Sequence, residues 1–362
     1  MRTVVLLAMN LMCCTTAASG SSDLPPRAWL VTRGQAAAVL VGESHFRTTQ
    51  EFDRYYQRIV KPSFQAADVA LLEAHFGPEN DSDLGYNLAA PCKTDDGAPP
   101  SERVRRRFAQ LIEATRSAGF EVPDWMQHWE VFPKNALTSL HLPTFVARTI
   151  GPVLAATKSE LTDNSGVGQQ LAADAAAARL RRPLLKGLDT VAAVRARYCG
   201  ATDEQREDVL ITKVDSTIGM LRVLLDAKAG QSVNIGPDVA RAWLGTLNCI
   251  ASDSPCRFPV QVGVLARYGL AVSDLPGNFK LSIPDRTLAW RPQIENAMRE
   301  HRRIFVAVGV LHLADVSYRG HVYPGLLTLL RRDGFSVVPI RDEGDLPEKL
   351  LRRRWWEDVF SF

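Results

Sequence analysis

The sequence predicts an α/β fold: a single mixed central sheet formed by the N- and C-terminal segments, with a large helical insertion between them. Three observations predict it. Short apolar runs at residues 37–41, 69–72 and 304–308 have the length and composition of strands buried on both faces. Two of them end in one pattern, Gly42-Glu43-Ser44-His45 and Gly309-Val310-Leu311-His312, and the third delivers Glu73, with His75 two positions on. Between them, from Ser101 to about Leu270, the apolar spacing turns mostly helical.

The strand ends carry the chemistry. In open α/β sheets, ligands collect outside the carboxyl ends of the strands, so the repeated Gly-x-x-His predicts a site built from opposite ends of the chain. The two motifs can meet only if the terminal segments share one sheet. A carboxylate and two imidazoles at neighbouring strand ends form a mixed nitrogen and oxygen donor set for a divalent transition metal. The expected ligands are His45, Glu73 and His312, with Glu43 as a fourth ligand or a general base.

The helices announce themselves by their caps. One runs from Arg103 to Ala118, opening on Ser101 and stopping at Gly119. An Ala-rich helix covers residues 167–180 and ends before Pro183. Thr202 starts a long helix that reaches about Lys228, before Gly230. A helix from Arg286 to about His301 leads into the strand before His312, and residues 326–332 and 335–340 give a last helix and strand. Residues 77–101 read as a loop, a lid or rim directly after Glu73. Within the insertion, Trp125, Trp129 and Trp243 are expected in a core or interface, and His128 and His141 as structural histidines.

Arg2, an apolar stretch from Val4 to Met12 and the small residues Ala17-Ala18-Ser19 form a signal-peptide pattern over residues 1–19. Secretion or a periplasmic location is expected. A lipid anchor is disfavoured, because Met12 and Cys13 precede the two cysteines Cys13 and Cys14 where a small residue is required. No stretch is long enough for a transmembrane segment. Removing residues 1–19 takes away Arg2 and lowers the net charge from +3 to +2, which gives no reason to expect nucleic acid as a partner. Four cysteines remain: Cys249 and Cys256 flank a turn-rich stretch and are the natural local disulfide, leaving Cys92 with Cys199. Arg352-Arg353-Arg354 with Trp355, Trp356 and Phe360 reads as a docked terminal helix.

An ordered set of segments resembles the TraB/GumN family, related to the Tiki metalloproteases. VLVGESHF (39–46) is similar to the family's first Gly-x-x-His segment and DVALLE (68–73) to its strand plus glutamate. LKGLDT (185–190) resembles a mid-chain Gly-Leu-Glu-Thr element, and residues 285–300 resemble the helix preceding the second motif. FVAVGVLHL (305–313) with residues 325–340 resembles the closing signature. The resemblance implies a site of His45, Glu73 and His312, with Arg286 as a polar partner, and a manganese- or cobalt-dependent peptidase; zinc or iron would suit the same donors. Thr287 stands where the family usually shows asparagine. The link from His312 to Gly325 is longer than usual and carries Arg319, His321 and Tyr323. Gly-Glu-x-His in the first motif also resembles haem-binding ChaN-type lipoproteins and erythromycin-esterase-like hydrolases.

No H-E-x-x-H, Walker A or G-x-S-x-G pattern occurs. Residues 166–171 mimic a dinucleotide fingerprint, but Leu171 replaces its third glycine. The acidic clusters at 81–83 and 342–345 lack calcium-loop spacing. The functional expectation is therefore a secreted, metal-dependent hydrolase of peptidase type acting on a peptide or small molecule. Arg286 would stabilise developing negative charge or orient the glutamate. A close alternative is metal-free hydrolysis, with His45 and Glu43 or Glu73 activating water. The alternatives of another class are a non-catalytic haem- or ligand-binding protein, with His45 or His321 as axial ligand, and an interaction protein that has lost turnover.

Overall fold

The computed structural model describes residues 27–43, 55–73, 92, 100–146, 148–149, 167, 170–171, 183–231, 233, 236–258, 267–268 and 275–347. The frame is a six-stranded sheet in the order β4-β3-β6-β2-β1-β9. Its strands are β1 (Ala28–Arg33), β2 (Ala36–Glu43), β3 (Val69–Leu72), β4 (Leu184–Gly187), β6 (Arg303–Gly309) and β9 (Ser336–Ile340). β2 and β6 run parallel and in register, with Gly42 opposite Val308 and Glu43 opposite Gly309. β3 is parallel to both β6 and β4. β1 is antiparallel to β2 and to β9, so it alone runs against the others. The sheet is mixed, as the sequence implies, and the two termini do share it.

Alternation explains why the central strands read as unbroken apolar runs. On β2, Ala38 and Leu40 enter one layer while Val39 and Val41 enter the other. The first layer packs on Trp290, Ile294 and Met298 of α7 (Pro284–Glu300) and on Leu326 and Leu330 of α9 (Leu326–Arg332). The second packs on Ile59 and Val60, on Phe64 of α1 (Lys61–Ala66), and on Val167 and Leu171. Each fully buried side chain of this kind contributes roughly 1.5–3 kcal/mol. Pro339 is tolerated because β9 is an edge strand.

The insertion has its own core. In α2 (Glu102–Ser117) Val104, Phe108 and Leu111 pack against Leu210, Val214 and Leu221 of α4 (Asp203–Lys228), and Phe108 stacks on Trp129 at 4.0 Å. Both helices start where their caps predict. Ser101 Oγ accepts from Val104 N–H, and Thr202 with Gln205 closes a capping box. His141 is structural: its ring stacks on Trp125 at 5.2 Å and meets Phe132 at 4.6 Å edge-on. His128, in contrast, is exposed.

Three expectations change. The insertion is interrupted by β4, a mid-chain strand that joins the main sheet beside β3. The longer link after His312 folds as a hairpin, β7 (Val316–Tyr318) and β8 (His321–Tyr323), which with β5 (Cys256–Arg257) forms a second, three-stranded sheet. Cys92 and Cys199 form a disulfide, whereas Cys249 and Cys256 are free thiols. Both thiols also donate to the backbone of α5 (Gly236–Ala251), Cys249 Sγ to Gly245 O and Cys256 Sγ to Thr246 O. The signal-like segment, most of the 77–101 loop, most of the Ala-rich helix, the side chain of Trp243 and the terminal basic-aromatic segment lie outside the described residues. Among the described residues, no helix is long and apolar enough to cross a membrane.

Candidate functional site

Parallel strands end at one edge of a sheet, so four segments far apart in sequence converge there. β2 ends at Glu43, β3 leads into Glu73, β4 leads through Leu188 into Asp189, and β6 leads through Gly309 into His312. This is the edge at which α/β sheets place ligands. Glu73, Asp189 and His312 are nearly inaccessible, at 5%, 3% and 3% exposure.

Burying carboxylates requires counter-charges and donors, and α7 supplies most of them. Arg286, in its first turn, donates from one Nη to Glu73 Oε1 at 2.9 Å and to Asp189 Oδ2 at 2.7 Å, with its Nε 2.8 Å from the same Asp189 oxygen. The other Asp189 oxygen accepts from Arg197 at 2.9 Å and from the Trp290 indole at 3.0 Å. Two carboxylates thus share two guanidiniums. The Arg286 guanidinium also lies over the Trp290 ring at 4.6 Å.

Gly309 completes the hold on Glu73. Its N–H donates to Glu73 Oε2 at 2.5 Å, and a Cβ at this position would stand 3.1 Å from that oxygen. The glycine at the strand end is there for close approach as much as for its turn.

His312, in the short helix α8 (Val310–Leu313), is oriented by Thr287. The Thr287 hydroxyl donates its single proton to Ile283 O at 2.7 Å, one helical turn back. Towards His312 Nδ1, 2.9 Å away, it can then only accept, so Nδ1 carries the ring proton. This tautomer is assigned from the hydrogen-bond network. Nε2 stands 3.9 Å from Glu73 Oε1. The ring leans on Trp290 with centroids 4.4 Å apart. Thr287 therefore makes a direct polar contact with His312.

Of the residues expected from sequence, Glu73, Arg286 and His312 come together. Glu43 ends the adjoining strand opposite Gly309 and is buried, but it follows Val39 and Val41 in the alternation, towards the layer away from α7. His45 lies outside the described residues, as does His75. His321 is exposed on the β7–β8 hairpin. Among the described residues, no group of three histidine, cysteine or carboxylate side chains stands ready to hold a metal. Asp189, Thr287, Trp290 and Arg197 are the partners that sequence reasoning did not assign. Asp189 had one legible signal, its place two residues past the strand segment Leu184–Gly187.

No protein family, no curated protein and no solved structure matches this chain. The resemblance to the TraB/GumN family thus rests on the motifs quoted above.

Proposed function

We propose that this protein is a metal-dependent hydrolase of peptidase type, of the TraB/GumN kind, with its active site at the carboxyl ends of β2, β3, β4 and β6. The observation that carries the reading is the pairing of His312 with Glu73 at the strand ends, Nε2 standing 3.9 Å from Glu73 Oε1 while Thr287 holds the other ring nitrogen. A histidine that donates from one nitrogen to a fixed acceptor presents the other as a ligand or a base. In this reading His312 Nε2 and Glu73 would hold a divalent ion, with His45, outside the described residues, as the third ligand. Manganese or cobalt is the expected metal. A bound ion of this type acidifies a water molecule and polarises a carbonyl.

The chain's own residues have defined tasks. Thr287 keeps the proton on His312 Nδ1. Arg286 and Gly309 N–H fix the two oxygens of Glu73, and Asp189 fixes Arg286. Glu43 ends the adjoining strand on the other face of the sheet, so no general-base role is assigned to it. The Cys92–Cys199 disulfide and the signal-like N-terminus support a secreted or periplasmic setting.

One observation favours a metal-free variant: both oxygens of Glu73 already accept a hydrogen bond. His312 Nε2 would then take the proton of an attacking water, with Glu73 stabilising the imidazolium. The deciding experiment is the metal content of periplasmically expressed protein beside a folded His45→Ala/His312→Ala variant, followed by peptide-library hydrolysis with and without chelator. Near-stoichiometric metal lost in the variant, and hydrolysis lost on chelation, is the expected result. Hydrolysis that survives chelation selects the metal-free variant. No metal and no hydrolysis after reconstitution with manganese, cobalt, zinc or iron overturns both.

A further inference from the structure

The glycines of the two Gly-x-x-His motifs make room for different things. Gly309 admits the Glu73 carboxylate. Gly42 lies on β2, opposite Val308, and follows Ala38 and Leu40 in the alternation, so a side chain there would enter the layer of α7. Its backbone is outside the left-handed region, and its N–H makes an ordinary bond to Arg27 O at 2.9 Å. Conformation therefore does not demand a glycine. Space does, and the neighbour that needs it is α8. A Cβ on Gly42 would stand 3.1 Å from Leu313 Cδ1 and 3.2 Å from Val310 Cγ2, inside the usual carbon–carbon separation of about 3.5–4.0 Å.

α8 is a single turn, and its side chains have separate tasks. Val310 and Leu313, three residues apart, share the face that rests on Gly42. Leu311 packs on the cluster of Phe258, Phe279 and Tyr318, and His312 meets Thr287 and Glu73. The turn has little slack. It packs on β2, β6, α5 and α9, and Val310 and Leu313 are both buried. Val310 is also stiff at its branched Cβ. At the start of α8 the Gly309 N–H is held by Glu73; past its end Gly325 sits so close that a Cβ there would collide with Leu313 O and Ala314 O. The group that holds the His312 ring is fixed as well, because Thr287 is bonded to Ile283 O at the junction of α6 (Pro276–Ser282) and α7.

We propose that Gly42 is a positioning residue for His312: by carrying no side chain it seats Val310 and Leu313, and so sets where α8 presents the imidazole to Thr287 and Glu73. The first motif thus serves the second. A methyl group at residue 42 would move the turn by a few tenths of an ångström, since the two contacts fall short of normal packing by about that much. Such a shift takes the 2.9 Å contact between Thr287 and His312 towards the edge of the hydrogen-bonding range, about 3.2 Å.

The inference rests on the hydrolase reading only for the importance of His312, so its test reads the ring and not turnover. The full chain is labelled with 15N-histidine, the His312 signals are identified by their loss in His312→Gln, and exchange of the Nδ1 proton with water is measured. The backbone amide of Val306, in the middle of β6, reports global opening in the same sample. Gly42→Ala should speed exchange at His312 Nδ1 about tenfold or more relative to Val306, the worth of one hydrogen bond. Leu313→Val removes Cδ1, so Gly42→Ala/Leu313→Val should recover most of the parent's protection. If Gly42→Ala alone does not fold, a folded double variant with parent-like exchange bears the proposal out, and a double variant that also fails overturns it. Parent-like exchange in Gly42→Ala, a loss matched at Val306, a loss that Leu313→Val does not recover, or no protected Nδ1 proton in the parent overturns it too. Should hydrolysis never be found while His312 follows the size of residue 42, the hydrolase reading alone falls.

Discussion

Thr287 and Asp189 hold His312 and Arg286 in place, a role that sequence inspection assigned to neither. Thr287→Val keeps the volume of the side chain but removes the acceptor for His312 Nδ1–H, and the ring loses its fixed tautomer. Such outer partners are worth about 10–100-fold in metal affinity or activity. Thr287→Val should therefore lose that much in metal titrations or turnover, with Thr287→Ser close to the parent; equal behaviour of Val and parent would remove Thr287 from the mechanism. Asp189→Asn leaves Arg197, Arg286 and the Trp290 indole around a neutral amide. Breaking a buried charge network of this kind costs about 3–5 kcal/mol. Urea melts measure it, and a loss below about 1 kcal/mol would mean that Glu73 alone suffices to neutralise Arg286.

The elements show how a local pattern becomes a placed side chain. β3 is a four-residue apolar run, and its hydrogen bonds with β6 and β4 set where Glu73 emerges. α7 is fixed from both ends, by Thr287 and Trp290 under His312 and by its contact with α9. At that second contact Glu295 of α7 and Asp333, just past α9, face each other across Arg291. Burial, and then the Asp333 carboxyl, push Glu295 above the usual carboxylate range against the pull of Arg291 and Arg299. A raised folded-state value means the fold favours protonated Glu295. That contribution is fully present below the unfolded value and is lost as pH rises through the folded one. Glu295→Gln should therefore gain stability relative to the parent as pH rises above about 4. A constant difference across that range, read from melts, would show that Arg291 offsets the burial completely.

At the scale of the molecule, one covalent link ties the insertion to the segment that follows Glu73. Cys92 and Cys199 are 107 residues apart in sequence, and Cys199 ends α3 (Val191–Cys199), the helix that carries Arg197 to Asp189. Closing a loop of that length removes unfolded-state entropy worth about 4–5 kcal/mol. The Cys92→Ser/Cys199→Ser variant should lose up to that amount in chemical denaturation, and its Arg197 clamp should loosen with it. An unchanged midpoint would show that packing of α3 alone holds the clamp.

Much of this architecture was legible in the residues. The apolar runs read as β2, β3 and β6 because parallel strands covered on both faces must be apolar at every position. α2 and α4 were legible from Ser101 and Thr202, since a cap is a contact within four residues and leaves its mark in adjacent sequence. The same locality made Glu73 and His312 visible as strand-end residues. What the sequence by itself determined is thus the type of fold, most element boundaries and two of the polar groups at its edge. The tertiary structure alone decided that β4 enters the sheet between distant helices, and that Asp189 clamps Arg286. It alone decided that Thr287 meets His312 Nδ1 and that Cys249 and Cys256 stand as free thiols. Each of these depends on a contact across about 10 to more than 100 residues, and such a contact leaves no periodicity, cap or spacing in the chain that makes it.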